Sequence, residues 1–356
     1  MGHNIRATLM IASVAAVALT ACGSDKQSAN TTPTASDATA TTAAGGGAAA
    51  DLSIFKGKKV GIISLAPGLE PVDRIQAGVD KCVKDNGGST QVFDAKGGTQ
   101  AVPAFEQANS AGVDAIYNVA NDVSGGALDA ALATAASAKR PVITAWGGQR
   151  PGTVAITGLE FQSAARVGQY LIDRLAAANG GVAKGTVLIA NARVTPSLRQ
   201  RADAFKAMVG KDTEFPDITV KEVEVDIGNA LADAQAKVEQ AIQADPSIAA
   251  IYASFDTIGQ GAASAVDAAG GKQFVVSFNG DSAALDMLRA KKSLAATAAN
   301  DLEGTATLAC QLFAEMLAGK TPGATTYWMD SPLVTQQNVP ASGFATGPGS
   351  FELFQP

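Results

Sequence analysis

Val60-Gly61-Ile62-Ile63-Ser64-Leu65 is an almost unbroken apolar run, and Gly87-Gly88 closes the segment that follows it. Between them Ile75, Val79, Cys82 and Val83 fall at helical spacing, which predicts a helix over Ile75–Asn86. A strand apolar on both faces followed by an amphipathic helix is the repeating unit of a parallel sheet covered by helices. The unit recurs. Gln91-Val92-Phe93, Ala115–Val119 and Pro141–Ala145 read as further strands, with helices centred on Val102–Ala111 and Leu128–Ala138.

The alternation then restarts. Helices read over Ala164–Ala178, Leu198–Val209 and Leu231–Ala244, and strands over Thr186–Ala190, Val220–Val225, Ala249–Ala253 and Phe274–Phe278. Two consecutive sets predict an α/β chain of two similar doubly wound parallel-sheet lobes. Gly259-Gln260-Gly261 has the first two glycines of a dinucleotide loop, but Ser264 stands where the third belongs, so it reads as a helix start.

Upstream of the folded part, Arg6 precedes an apolar run from Leu9 to Leu19. That run is about 11 residues, within the roughly 7–15 of a signal-peptide core and short of the roughly 20 needed to span a bilayer. Leu19-Thr20-Ala21-Cys22 follows and resembles the bacterial lipobox, which implies cleavage after residue 21 and acylation of Cys22. Residues 23–50 are Ser, Thr, Ala, Gly and Asp with almost nothing large, a composition that cannot offset its own ordering entropy. The expectation is a signal segment over 1–21, a lipidated flexible tether over 22–50, and a folded part from Asp51.

The sequence has 356 residues, with 27 basic and 33 acidic side chains; losing Arg6 leaves 26 against 33, a net charge of −7. An acidic chain lacks the basic face that nucleic acid requires. The single histidine, His3, lies in the segment to be removed. The mature chain would then have no imidazole for Ser-His-Asp or Cys-His catalysis, nor for the usual catalytic zinc sites. No catalytic residue, metal or cofactor is predicted.

Lys59–Met329 resembles the type I periplasmic binding proteins related to ribose-binding protein and to the ligand lobes of the lac repressor. The landmarks are Ile63-Ser64, Asn118-Val119-Ala120-Asn121-Asp122, Pro141-Val142-Ile143-Thr144, Arg199–Phe205, Tyr252–Asp256, Phe278-Asn279-Gly280 and Leu294-Ala295-Ala296-Thr297. The resemblance implies three chain crossings, near Thr157–Glu160, Asn300–Asp301 and Met329–Asp330. The first lobe would comprise 51–157 plus 301–329 and the second 158–300 plus 330–356, closing on a ligand at the strand ends.

By that resemblance the cleft residues are Ser64, Asn118, Arg199, Arg201, Asn229, Phe255, Asn279 and Asn300, and Trp146, an aromatic at a strand end, can add a wall for an apolar sugar face or a cationic group. Asn118 can alternatively form a turn, and Trp146 can alternatively pack under a loop. One of Arg199 and Arg201 points into the cleft, Arg199 being favoured by position. Sugar-binding members usually carry carboxylates where Ala145 and Asn279 stand here, often a polar amide at Phe255, and an aromatic pair at Pro71 and Val72. Those departures imply a less acidic and less polar cleft than a pentose site. Cys82 and Cys310, assigned to adjacent helices of the first lobe, can form a disulfide or remain small buried hydrophobes.

The implied function is that of a monomeric, lipid-anchored binding protein on the outer face of the cell membrane. It would capture a small polar molecule (a sugar, polyol or modified sugar) for an ABC permease. A ligand sensor docking on a membrane receptor is the alternative, and a histidine-free enzyme on the same fold is a more distant one.

Overall fold

The strand β1 (Lys59–Ser64) is buried on both faces beyond its first residue. Val60 and Ile62 point into one layer of helices and Ile63 into the other. This is why its sequence lacks alternation. These positions come from a computed structural model that describes residues 50–344. The expected signal segment, Cys22, the tether up to residue 49 and the end of the expected second lobe, 345–356, lie outside the described residues.

The first sheet runs β11 (Thr326–Met329), β5 (Val154–Gly158), β4 (Val142–Ala145), β3 (Ala115–Val119), β1, β2 (Ser89–Asp94), and each pairing is parallel. On one face it is covered by α1 (Glu70–Asp85) and α9 (Leu302–Leu317), on the other by α2 (Ala101–Ser110) and α3 (Asp129–Ser137). The second sheet runs β12 (Leu333–Thr335), β10 (Leu294–Ala299), β9 (Phe274–Asn279), β8 (Ile248–Ala253), β6 (Gly185–Asn191), β7 (Ile218–Glu224). Only the β10–β12 pairing is antiparallel. Its helices are α4 (Glu160–Ala178) and α5 (Pro196–Met208) on one face, and α6 (Ala230–Ala244), α7 (Asp256–Ala268) and α8 (Ser282–Arg289) on the other.

The fold is therefore two lobes of helix-covered, mainly parallel sheets. The chain leaves the first sheet after Gly158, returns to it after Ala299, and leaves again after Met329. A final stretch then reaches back: Arg289 of α8 donates to the Pro340 carbonyl, while Phe344 stacks on Arg74 of α1.

Two differences from the sequence expectation have physical causes. Helix α1 begins at Glu70, five residues ahead of Ile75, because Pro71 sits in its first turn. There a fixed φ suits the helix and a missing N–H costs nothing. Strands β5, β10, β11 and β12 were not predicted as strands. The last two are four and three residues long, too short to leave a period.

Helices α1 and α9 approach closely. A Cβ on Gly78 would come within 2.4 Å of the Ala306 Cβ. A disulfide between Cys82 and Cys310 joins the same two helices, with the Cα atoms 6.5 Å apart. Among the described residues no helix is long and apolar enough to cross a membrane.

Candidate functional site

The carboxyl ends of β1, β3 and β4 face those of β6, β8 and β9 across a cleft that holds a cavity of about 60 Å3. The first lobe supplies Leu65 after β1, Ala120 after β3 and Trp146 after β4. It adds Leu69, Pro71, Val72 and Ile75 from the start of α1, and Leu302 from α9. The second lobe supplies Thr195, Ser197, Leu198 and Arg201 around the start of α5, Ile227 before α6, Phe255 before α7 and Asn279 ending β9, while Asn300 lies in a crossing.

Three non-glycine residues at these strand ends have left-handed backbones: Ala120 (φ 63°), Trp146 (φ 55°) and Asn279 (φ 116°). Such conformations cost about 1–3 kcal/mol each and cluster where surrounding structure over-determines them, commonly at ligand sites. Trp146 is nearly buried, and its Nε1 has no hydrogen-bond partner.

Arg201 organises the polar wall. Its Nε donates to Glu160 Oε2 at 2.5 Å and its Nη2 to Glu160 Oε1 at 3.2 Å. Its Nη1 donates to the Ser254 carbonyl at 3.0 Å and to Asn279 Oδ1 at 3.1 Å. Both charged side chains are at most 3% exposed, so the pair is a neutral unit inside the protein. Asn279 Oδ1 also accepts from Asn300 Nδ2 at 3.1 Å, and Asn300 Oδ1 accepts from Ser331 Oγ at 2.6 Å. One connected network thus spans the second lobe and two crossings.

Trp146, Arg201, Phe255, Asn279 and Asn300 come together at this cleft. Four other predicted residues do not. Ser64 shares the face of Val60 and Ile62, turned toward α1, where its Oγ accepts from Gln76 Nε2 at 3.1 Å. Asn118 is consumed in a turn: its Nδ2 donates to the Asn121 carbonyl at 2.8 Å, and its Oδ1 accepts from Asn121 Nδ2 at 3.0 Å. The turn leaves no room at Gly147, where a Cβ would lie 2.6 Å from Asn118 Nδ2 and 2.3 Å from the Asn121 carbonyl oxygen. Asn229 is exposed and lines a separate recess near Glu70 and Gln260.

Arg199, the favoured arginine, turns away to the rim and binds Asp122 of the first lobe at 2.6 Å. A second contact between lobes lies at α8, where Ser282 N and Oγ donate to Glu70 at 2.8 and 2.6 Å.

Two buried acids sit behind Asn279. Asp256 accepts from Thr297 Oγ1 at 2.8 Å, from the Asp281 amide at 2.7 Å, and from Ser277 Oγ. Both carboxylate oxygens of Asp281 are buried with no hydrogen-bond partner. Burial, then the Asp256 and Glu70 carboxylates, push its pKa well above the usual carboxylate range. Burial likewise pushes Asp256 up to about 6 against those hydrogen bonds. No group of three or more His, Cys, Asp or Glu side chains suited to a metal ion occurs among the described residues.

The site consists of a small, mostly apolar cleft, a neutral polar network on one side, and contacts that span the two lobes. Comparison with known proteins matches residues 68–321 to the family described as periplasmic binding protein domain. Among solved structures, an ABC transporter solute binding protein from Agrobacterium vitis with bound allitol is 22% identical, with 80% of this chain and 97% of that chain covered at a TM-score of 0.71. The 5-methylthioribose transporter solute binding protein from Thermotoga lettingae, in complex with 5-methylthioribose, is 20% identical, with 78% and 86% covered at a TM-score of 0.69. A carbohydrate transporter solute binding protein from Agrobacterium radiobacter in complex with D-arabinose is 21% identical, with 79% and 95% covered at 0.69. No curated protein matches the sequence.

Proposed function

The chain belongs to the periplasmic binding protein family, and on that premise we propose that it captures a small uncharged solute between its lobes for an ABC permease. The family and its solved neighbours are solute-binding proteins, not enzymes, and they work outside the cytoplasm. The solute we favour is a sugar, a polyol or a modified sugar, as in the neighbours with bound allitol, D-arabinose and 5-methylthioribose. Acylated Cys22 would hold the monomer at the outer face of the cell membrane, with the residues before Asp51 as its tether.

The lobes are taken as 51–157 plus 301–329 and 158–300 plus 330–356, with their hinge at the three crossings. Trp146, Arg201, Phe255, Asn279 and Asn300 are the residues assigned to the ligand. The observation that carries this reading is the polar network of Arg201, Asn279 and Asn300 opening onto a cleft between the lobes. A ligand touching both walls binds the closed form better than the open one and so shifts the population toward closure.

A thermal-shift screen of the mature chain over sugars, polyols and their derivatives, including allitol, D-arabinose and 5-methylthioribose, tests it. A ligand present at about 100 times its Kd stabilises by about 2.7 kcal/mol. A screen in which no small solute of any class shifts the transition would overturn the reading.

A further inference from the structure

The two walls of the cleft differ in chemistry, and the difference names a ligand class for the site proposed above, on which this inference rests. On the first-lobe side the side chains of Leu65, Leu69, Pro71, Val72, Ile75 and Leu302 are carbon alone. The one side-chain polar atom there is Trp146 Nε1. The polar side chains belong to the second lobe and a crossing: Arg201, Asn279, Asn300, Thr195 and Ser197.

Even that wall is partly committed. Glu160 neutralises Arg201 and occupies two of its N–H donors, while the Ser254 carbonyl and Asn279 take two more. Asn279 Oδ1 already accepts twice. Thr195 Oγ1 accepts from the Leu198 amide and is bonded to Ser197 Oγ. Among the described residues Arg201 is the only ionisable side chain lining the cavity, and its charge is balanced. The cavity therefore has no unbalanced charge for an ionic ligand. A hydroxyl buried against the aliphatic wall would find no partner, at a cost of roughly 5- to 150-fold in affinity.

We propose that the ligand is an uncharged, two-faced sugar or polyol derivative, carrying an alkyl or thioalkyl arm in place of a hydroxyl. Its polar edge meets Arg201, Asn279 and Asn300, and its apolar arm lies against Val72, Ile75 and Leu302. Each methylene of the arm that is buried there adds about four-fold in affinity. A sugar with hydroxyls on every carbon binds weakly because half of the cleft cannot pair with it.

Matched probes test this by calorimetry on the mature chain: glycerol against 1-O-propylglycerol, and D-ribose against n-propyl β-D-ribofuranoside. The alkylated member of at least one pair should bind about 60-fold more tightly, for three buried methylene equivalents. Val72→Thr keeps the side-chain shape but exchanges one methyl for a hydroxyl, so it should narrow that ratio at least five-fold, with circular dichroism confirming an intact fold.

Equal or tighter binding of the free head group overturns the inference and leaves solute binding standing. So does a screen whose hits all lack an apolar arm, whatever the four probes do. Failure of every solute in the wider screen overturns the solute-binding reading itself, and the inference with it.

Discussion

Arg199 of the second lobe donates from Nη2 to Asp122 Oδ2 of the first at 2.6 Å, across the rim of the cleft. The pair is partly exposed, with 33% of the Arg199 side chain and 24% of the Asp122 side chain accessible. Solvent screens such a pair, so it contributes about 0.2–1 kcal/mol. It exists only when the lobes are together, and all of that contribution therefore bears on closure.

Asp122→Asn should weaken ligand affinity by up to about five-fold, mainly through faster release, with little change in thermal stability. Partial burial works to raise the Asp122 pKa, but hydrogen bonds from Ser124 and Arg199 outweigh it and hold the carboxyl below its ordinary value. A depressed carboxylate contributes above its ordinary pKa and loses that contribution as pH falls through the folded value. The difference between variant and parent should therefore be complete above about pH 4 and close only as pH falls further, through that lower folded value. Identical release rates at pH 7 and low salt would show that the pair does not hold the lobes.

Glu160 and Arg201 form the opposite kind of ion pair, both side chains being almost inaccessible. Removing one partner strands a buried charge, which typically costs about 3–5 kcal/mol. Glu160→Gln should therefore lower the melting temperature by several degrees and loosen the Arg201 network. Replacing both residues with methionine should cost less stability than Glu160→Gln alone while abolishing ligand binding. Calorimetric scans of the three proteins decide it, and a Glu160→Gln protein that melts with the parent refutes the account.

The sequence could have chosen between the two arginines. Leu198, Arg201 and Phe205 are spaced i, i+3, i+7 on α5 and are all buried, whereas Arg199 is turned about 100° from Leu198. Alternation likewise puts Ser64 with Val60 and Ile62, on the face covered by α1. Matching positions to a family overrode both of these local signals.

Interior strands such as β1 and β9 were legible because burial on both faces leaves a near-continuous run of large apolar residues, as in Phe274–Phe278, whereas the equally interior β10 (Leu294–Ala299) was not, because it is mostly alanine. Strand β12 was not, because three residues pairing antiparallel at an edge impose no pattern. The aliphatic cleft wall was also hidden in the sequence. Leucines and valines near a helix start read as core, and only the lobe facing them reveals a binding surface.

The Cys82–Cys310 disulfide spans 228 residues of sequence, so it closes a very large loop in the unfolded chain. Removing such a link typically costs about 2–5 kcal/mol. Cys82→Ala, Cys310→Ala and the double variant should lose nearly the same stability in urea titrations. Because α1 also carries Val72 and Ile75 to the cleft, all three variants should bind ligand more weakly. A double variant as stable as the oxidised parent would mean that α1 and α9 pack as well unlinked.

Asp281 should give the fold an unusual pH dependence. Its carboxylate is buried without a hydrogen-bond partner, beside Asp256. Burial, then the neighbouring Asp256 and Glu70 charges, raise its pKa far above that of an unfolded aspartate. Between those two values the folded protein keeps a proton that the unfolded chain has released. Stability must then fall as pH rises through that window. Asp256, raised to about 6, adds to the same trend over its lower part. Asp281 also stands at the N-cap of α8 without making a side-chain cap bond, and asparagine suits that position while carrying no charge. Asp281→Asn should be more stable than the parent at pH 7.5 by about 1–3 kcal/mol, and should show a flatter stability profile between pH 5 and 8. Parallel profiles for the two proteins would place the proton uptake elsewhere.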